Sequence, residues 1–269
     1  MKKLTTIFAT MLATVALTGA AHATVANNWT LDLSAYGAGT YTNIDHISLD
    51  GQSTVTQSFS NPYTLQNGDT FTESGLLNLT QYYVEPGAST DINSFAFGTT
   101  YKHLYVDIEG MTGKVTNVTA TGFDYVITPG TGTIKLYLDT DFNTTNAGTQ
   151  LLATLTTLTP SGGHNNGTIL GGAGINGTSD LTGVFSNVVP GVFTANGVDF
   201  GNLPAGYEAF GLANTNNLLQ LQQIVSANGV DLVFNSGGQL NVSTVPEPGT
   251  LALLGAGMLG LIGLKRRKA

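Results

Sequence analysis

Stretches in which apolar and polar residues alternate recur along the middle of the chain. Phe123–Ile127 and Ile134–Leu138 both alternate, and the turn-forming sequence Thr128–Thr133 lies between them. A period of two is typical of β-strands with one buried face, and two such runs around a Pro/Gly turn predict a β-hairpin. Leu104–Ile108 and Val230–Phe234 are predicted to form further strands.

Two segments depart from this alternation. Residues 217–227 place Leu218, Leu221 and Val225 near helical spacing, which predicts a short helix with a strand as the alternative. Residues 161–183 are rich in glycine and hold few large apolar residues, so they predict a long surface loop or a weak, exposed strand. Short strands separated by Gly, Asn and Pro turns nevertheless dominate, which favours a mainly β domain.

The N-terminus has the order of regions found in secretory signal peptides. Two lysines precede an apolar run over residues 7–19, and the small residues Ala21 and Ala23 follow it. The run is shorter than the roughly 20 residues that span a bilayer as a helix. We therefore predict that residues 1–23 are removed by cleavage before Thr24.

The C-terminus carries a second targeting pattern. Pro246, Glu247 and Pro248 precede a 15-residue apolar stretch, Thr250–Leu264. Two prolines favour an extended, solvated backbone, and the apolar stretch is long enough to enter the inner membrane transiently. Four basic residues then act as a membrane stop on the cytoplasmic side, and these are Lys265, Arg266, Arg267 and Lys268.

This tail resembles the PEP-CTERM sorting domain over residues 245–268. The domain occurs in Gram-negative bacteria that make exopolysaccharide and encode an exosortase. The resemblance implies that the exosortase cleaves near the Pro-Glu-Pro motif and removes the tail. It also implies release of the protein to the cell surface or the extracellular matrix.

The net charge of the segment between the two predicted processing sites limits the partners that this segment can bind. Residues 24–245 hold three lysines, no arginine and 16 acidic residues, which gives a net charge of −13. Such a surface repels phosphate backbones, so we expect no binding to nucleic acid. With no cysteine and about 220 residues, this segment is predicted to form a single β-sandwich-like domain, with residues 246–269 as the sorting tail.

The mature chain shows little sign of catalytic chemistry. It has no Gly-x-Ser-x-Gly motif, and its histidines, His46, His103 and His164, have no partner motif. Asp107 and Glu109 share one side of a predicted strand, whereas a glycosidase needs two carboxylates across a cleft. We predict a protein that is not an enzyme, with a secreted carbohydrate-active enzyme as the alternative.

One constellation has the residues of a metal site. Asp139, Asp141 and Asn143 have the alternate-residue spacing of oxygen ligands that Ca²⁺ favours. Thr144 and Gln150 replace the turn glycine and the bidentate glutamate of an EF-hand, so an Asx-rich turn is the favoured interpretation. Calcium is the one cofactor that the sequence leaves open.

Three passages of the mature chain carry a second resemblance. Gly51–Gln57, Gly68–Gly75 and Thr128–Asp139 resemble the flocculation-associated PEP-CTERM proteins of floc-forming proteobacteria. The resemblance implies a non-enzymatic protein that joins cells to secreted exopolysaccharide, in flocs or in a biofilm matrix. It supplies no catalytic residue.

Overall fold

A computed structural model of the protein describes residues 28–84, 92–94, 103–140, 149–167, 175–203 and 207–246. These residues form thirteen strands and two short 3₁₀ turns, at Ser34–Tyr36 and Phe200–Asn202. In chain order the strands are β1 (Trp29–Asp32), β2 (Thr40–Ser58), β3 (Thr70–Val84), β4 (Ile92–Ser94), β5 (His103–Val118), β6 (Gly122–Ile127), β7 (Thr133–Asp139), β8 (Gln150–Asn166), β9 (Asn176–Val188), β10 (Phe193–Ala195), β11 (Val198–Asp199), β12 (Tyr207–Ser226) and β13 (Gly229–Pro246).

The described strands belong to one hydrogen-bonded sheet that closes on itself. From β2 the antiparallel pairing runs through β3 to β5, and from β5 to both β6 and β7. These two strands pair with β8, and the ladder continues through β9, β12 and β13. Because β13 pairs with β2, the ladder returns to its starting strand.

Opposite parts of this closed sheet face each other across a common core. Val55 and Phe71, from β2 and β3, line the same small cavity as Phe123 from β6 and Leu232 from β13. The prediction of a single, mainly β domain is confirmed. Its facing layers belong to one continuous sheet, and not to the two separate sheets of a standard sandwich.

The predicted hairpin at residues 123–138 is wrong in its pairing, although both strands exist. β6 and β7 each pair with β5 on one side and β8 on the other, so they lie end to end in one strand position. The sequence between them, residues 128–132, is an excursion from this composite strand. Gly132 ends the excursion at φ 68°, where a Cβ atom would lie 2.6 Å from the backbone nitrogen of Met111, so only glycine fits.

The helix considered at residues 217–227 is a strand, namely the second half of β12. The register with β13 shifts between Asn217 and Leu219 and again between Gln220 and Gln222. Leu218 and Leu221 are therefore the extra residues of two β-bulges. Each bulge adds one residue to the strand period of two, and this produced the apparent helical spacing.

Of the described residues in the glycine-rich segment 161–183, all but Gly167 and Ile175 belong to strands. β8 extends to Asn166 and β9 begins at Asn176, and the two pair from Gly162 to Asn166. A Cβ atom on Gly163 would lie 2.0 Å from the carbonyl oxygen of Thr178. Glycine therefore allows the strands to approach closely here. Of the two alternatives predicted for this segment, the strand is confirmed for these residues and the loop is wrong.

An aromatic cluster fills the core where β1 and β10 meet. Trp29 and Phe193 have ring centroids 6.1 Å apart, and Phe193 also lies 5.5 Å from Phe185 and 6.1 Å from Phe200. Trp29, the only tryptophan of the chain, is 1% exposed. Trp29 lies close in sequence to Thr24, where cleavage is predicted, so cleavage there would leave a core residue near the start of the mature chain.

Candidate functional site: the sorting end and the tyrosine face

The predicted sorting motif begins inside the last strand of the sheet. Thr244, Val245 and Pro246 at the end of β13 pair with Ala209, Glu208 and Tyr207 at the start of β12. Proline has no backbone N–H to donate to a ladder, and here it stands at the last paired position of β13. The sheet therefore leads into the Pro-Glu-Pro sequence without an intervening linker.

The other targeting residues lie outside the described part of the chain. These are Glu247 and Pro248 of the motif, the signal cleavage residues Ala21, Ala23 and Thr24, and the membrane-stop residues Lys265, Arg266, Arg267 and Lys268. Within the described residues, the structure contains no helix of the length and hydrophobicity needed to span a membrane. Cleavage of the signal peptide and insertion of the tail stay predictions.

Of the calcium constellation, only Asp139 lies within the described residues. It ends β7, is 7% exposed and lies opposite His103 of β5, with 3.9 Å between its Oδ2 and the histidine Nδ1. Asp141 and Asn143 lie outside the described part. Among the residues that are described, no group of three His, Asp or Glu side chains is arranged to hold a metal ion. The calcium hypothesis is untested.

One outward face of the sheet gathers aromatic and charged side chains. Leu104, Val106 and Ile108 of β5 point into the core, so the alternate residues point outward, and their partners on β7 do the same. We call this surface the tyrosine face, and its residues are His103, Tyr105, Asp107, Glu109, Thr133, Lys135, Tyr137 and Asp139.

Three rings are stacked in a row on the tyrosine face. Tyr105 and Tyr137 are directly paired across the strands, with ring centroids 5.3 Å apart and an interplanar angle of 24°. The ring of His103 also stacks on Tyr105, with centroids 5.3 Å apart and an interplanar angle of 29°. Burial raises the pKa of the Tyr105 hydroxyl, which therefore stays protonated and can donate a hydrogen bond at neutral pH. The row offers apolar ring surface together with hydroxyl groups.

The charged half of the tyrosine face is organised around Lys135. Its Nζ lies 2.6 Å from Oε2 of Glu109, and Thr133 donates to the same oxygen at 3.3 Å. The hydrogen bond from Lys135 lowers the pKa of Glu109, whereas burial and the nearby Glu109 raise the pKa of Asp107. The two carboxylates lie side by side on one strand. They do not oppose each other across a cleft, as glycosidase catalysis requires.

Two polar clusters were not predicted from the sequence. On the outside, Nδ1 of His164 contacts Asp124, and its Nε2 lies 3.1 Å from Oδ1 of Asn166. The hydrogen bond with Asp124 raises the pKa of His164. No local motif predicts this contact, because 40 residues separate Asp124 from His164. It arises from the pairing of β6 with β8.

The second cluster lies inside the closed sheet. Glu73, Gln57, Tyr125 and Asn165 line a cavity of about 20 Å³, which is room for about one water molecule. The Gln57 amide donates to the backbone oxygens of Ser58 and Thr70 at 2.9 Å, while Oδ1 of Asn165 is buried without a partner. Burial raises the pKa of Glu73 to about 7, against a smaller lowering by its hydrogen bond with Ser53.

Comparison with known proteins identifies the sorting end. Residues 244–268 match the family model of the PEP-CTERM protein-sorting motif. The chain matches no curated protein and no solved structure. The motif is the recognition signal of exosortase, and it indicates an exported protein that is directed to the cell surface. The match begins at Thr244, within β13, so the recognised motif and the folded sheet overlap.

Proposed function

We propose that this protein is a matrix protein that acts with exopolysaccharide in cell aggregation, in flocs or in a biofilm. In this proposal a Gram-negative cell exports the chain, holds it at the inner membrane by its tail, and releases it to the cell surface after exosortase processing. The match to the sorting motif at residues 244–268 carries the proposal. The resemblance to flocculation-associated PEP-CTERM proteins supports the link to exopolysaccharide.

The tyrosine face supports the same proposal from its chemistry. Sugar rings present apolar C–H faces together with hydroxyl groups, and Tyr105 and Tyr137 offer ring surface next to the polar groups of Asp107 and Lys135. The face lies on paired strands, which hold its side chains at fixed spacing. We therefore assign it as the surface that contacts the polysaccharide.

Replacing both Tyr105 and Tyr137 by alanine tests this assignment. We expect the double variant to bind the exopolysaccharide of its own cells at least about tenfold more weakly, since losing stacked ring contacts costs about 1.4 kcal/mol or more. Binding is measured by co-sedimentation of the purified protein with the polysaccharide. Tyr63→Ala is the matched control, because Tyr63 is 57% exposed in the turn between β2 and β3.

Equal retention of the wild type and the double variant would show that the tyrosine face is not the contact surface. The same incubation examines the alternative of a carbohydrate-active enzyme. New reducing ends or unsaturated sugars in the polysaccharide would overturn the proposal of a non-enzymatic matrix protein.

A further inference from the structure

A second concave surface lies on the domain, apart from the tyrosine face. It is a cleft of about 980 Å³ between the excursion at residues 128–132 and the part of β8 around Pro160. The volume is at the upper end of the range for small-ligand sites, about 300–1,000 Å³. The cleft is therefore large enough for one or more sugar units.

Backbone irregularities build the walls of this cleft. The register of β8 with β9 shifts between Leu158 and Gly162, so residues 159–161 bulge out of the ladder. Ser161 fixes the bulge: its Oγ accepts from the backbone nitrogen of Thr182 at 2.9 Å and donates to the carbonyl of Leu158 at 2.6 Å. These hydrogen bonds form within the protein alone, so this wall is in place before any ligand arrives.

The opposite wall is tied to the same strand. The backbone nitrogen of Gly130 donates to the carbonyl oxygen of Thr157 at 2.8 Å. The Thr157 hydroxyl in turn donates to the carbonyl of Thr131 at 3.1 Å. Both contacts join the excursion to β8 just before the bulge, so the spacing between the two walls is fixed.

Polar groups without partners line the cleft. Lys114 is exposed there and makes no hydrogen bond or ion pair with any described residue, whereas Lys135 is bound to Glu109. Oδ1 of Asn241 is buried and has no hydrogen-bond partner. A buried carbonyl oxygen without a partner is uncommon in folded proteins, and a bound ligand is one way to satisfy it.

The cleft also has apolar surface beside these polar groups. Val126 is 39% exposed, and Pro129 and Pro160 line the walls. Asp180 lies in the same cleft and supplies a carboxylate acceptor. A free ammonium group, an unpaired amide oxygen, a carboxylate and apolar surface therefore lie together in one preformed depression.

We propose that this cleft binds a carboxylated sugar residue of an acidic polysaccharide, an inference that rests on the proposed function. The ammonium of Lys114 pairs with the sugar carboxylate, while Asn241 and Asp180 accept hydrogen bonds from sugar hydroxyls. Val126 and the two prolines contact the apolar face of the ring. In a mature chain of net charge −13, the unpaired Lys114 gives this cleft selectivity for an anion.

Titration with oligogalacturonate tests the proposal on the protein purified from its own cells. By isothermal calorimetry we expect Lys114→Gln to weaken binding at least about tenfold, and Lys114→Arg to retain most of it. The double variant Lys114→Gln/Asp231→Asn is the matched control, since Asp231 is exposed, does not line the cleft, and its replacement restores the net charge. It should bind as weakly as Lys114→Gln. Lys114 is exposed, so the substitution leaves the core intact.

Three results would overturn the inference. Recovery of binding in Lys114→Gln/Asp231→Asn would indicate diffuse attraction of charge, and no binding by the wild type would exclude the site. Equal binding of the carboxyl-reduced oligosaccharide, or of polyglutamate, would exclude recognition of a sugar acid. The proposed function is tested separately, by sedimentation of the protein with its own polysaccharide. If the protein does not sediment but still binds oligogalacturonate through Lys114, the proposed function fails and the cleft proposal stands.

Discussion

Glu73→Gln is expected to stabilise the folded protein at pH 8 by about 3 kcal/mol, with little effect at pH 4.5. The wild-type carboxyl lines the interior cavity, where burial raises its pKa from 4.5 to about 7. A shift of one pKa unit corresponds to about 1.36 kcal/mol, which gives this magnitude for the difference. Glutamine keeps the shape of the side chain and its hydrogen bonding to Ser53 while removing the ionisable group.

The sign follows from the number of protons bound in each state. Between pH 4.5 and 7 the folded protein holds a proton on Glu73 that the unfolded chain has released, so the free energy of unfolding falls as the pH rises. The stability is fully present below pH 4.5 and is lost as the pH passes 7. Asp32 and Asp199, whose pKa values are lowered by hydrogen bonds from their neighbours, act in the opposite sense at lower pH.

Urea unfolding between pH 4.5 and 8 measures this effect, with the buried Trp29 as the fluorescent reporter. The wild-type stability should decline across this range, while the variant should stay nearly flat. Glu208→Gln on β12 is the control, since Glu208 is exposed and its removal should leave the wild-type decline in place. Parallel pH profiles for the wild type and Glu73→Gln would show that Glu73 is not held protonated inside the sheet.

The alternation of apolar residues predicted the inward face of the strands well. The predicted strands at Leu104–Ile108 and Val230–Phe234 lie within β5 and β13, and their alternate residues are buried. The partner of each strand was not predictable in the same way. The turn at residues 128–132 has hairpin composition, yet β6 and β7 continue in one direction because both pair with β5 and β8. The pairing of both strands with β5 and β8 therefore determined the direction of the chain, and the local turn composition did not.

Bulges and distant contacts account for most of the remaining differences. Leu218 and Leu221 look helical because two bulges in β12 break the period of two. Lys114 and Asn241 line the same cleft although 127 positions of sequence separate them. No spacing pattern in the sequence predicts that such residues lie close together. The cleft and the interior cavity of Glu73 therefore could be identified only from the pairing of the closed sheet. The sorting tail was predictable because the residues that define it follow one another directly in the sequence.

Replacing Pro246, Glu247 and Pro248 together by alanine is expected to abolish release of the protein from the cell. These residues give the matched motif its name. Without them, or without the exosortase, we expect the chain to stay at the inner membrane through Thr250–Leu264. Mass spectrometry of the surface material checks this. The released wild-type chain should start near Thr24 and lack the residues from Lys265 onward.

Because the motif lies at the end of the sheet, we expect its replacement to impair processing without changing the stability of the folded domain. Of the three, Pro246 belongs to the described residues and holds the last paired position of the sheet, so we expect the alanine variant to keep the melting temperature of the wild type. Pro190→Ala changes an exposed proline in the loop between β9 and β10 and should be released normally. An intact C-terminus on released wild-type protein would refute exosortase processing. Release of the alanine variant in wild-type amounts would show that the Pro-Glu-Pro sequence is not the signal that is read.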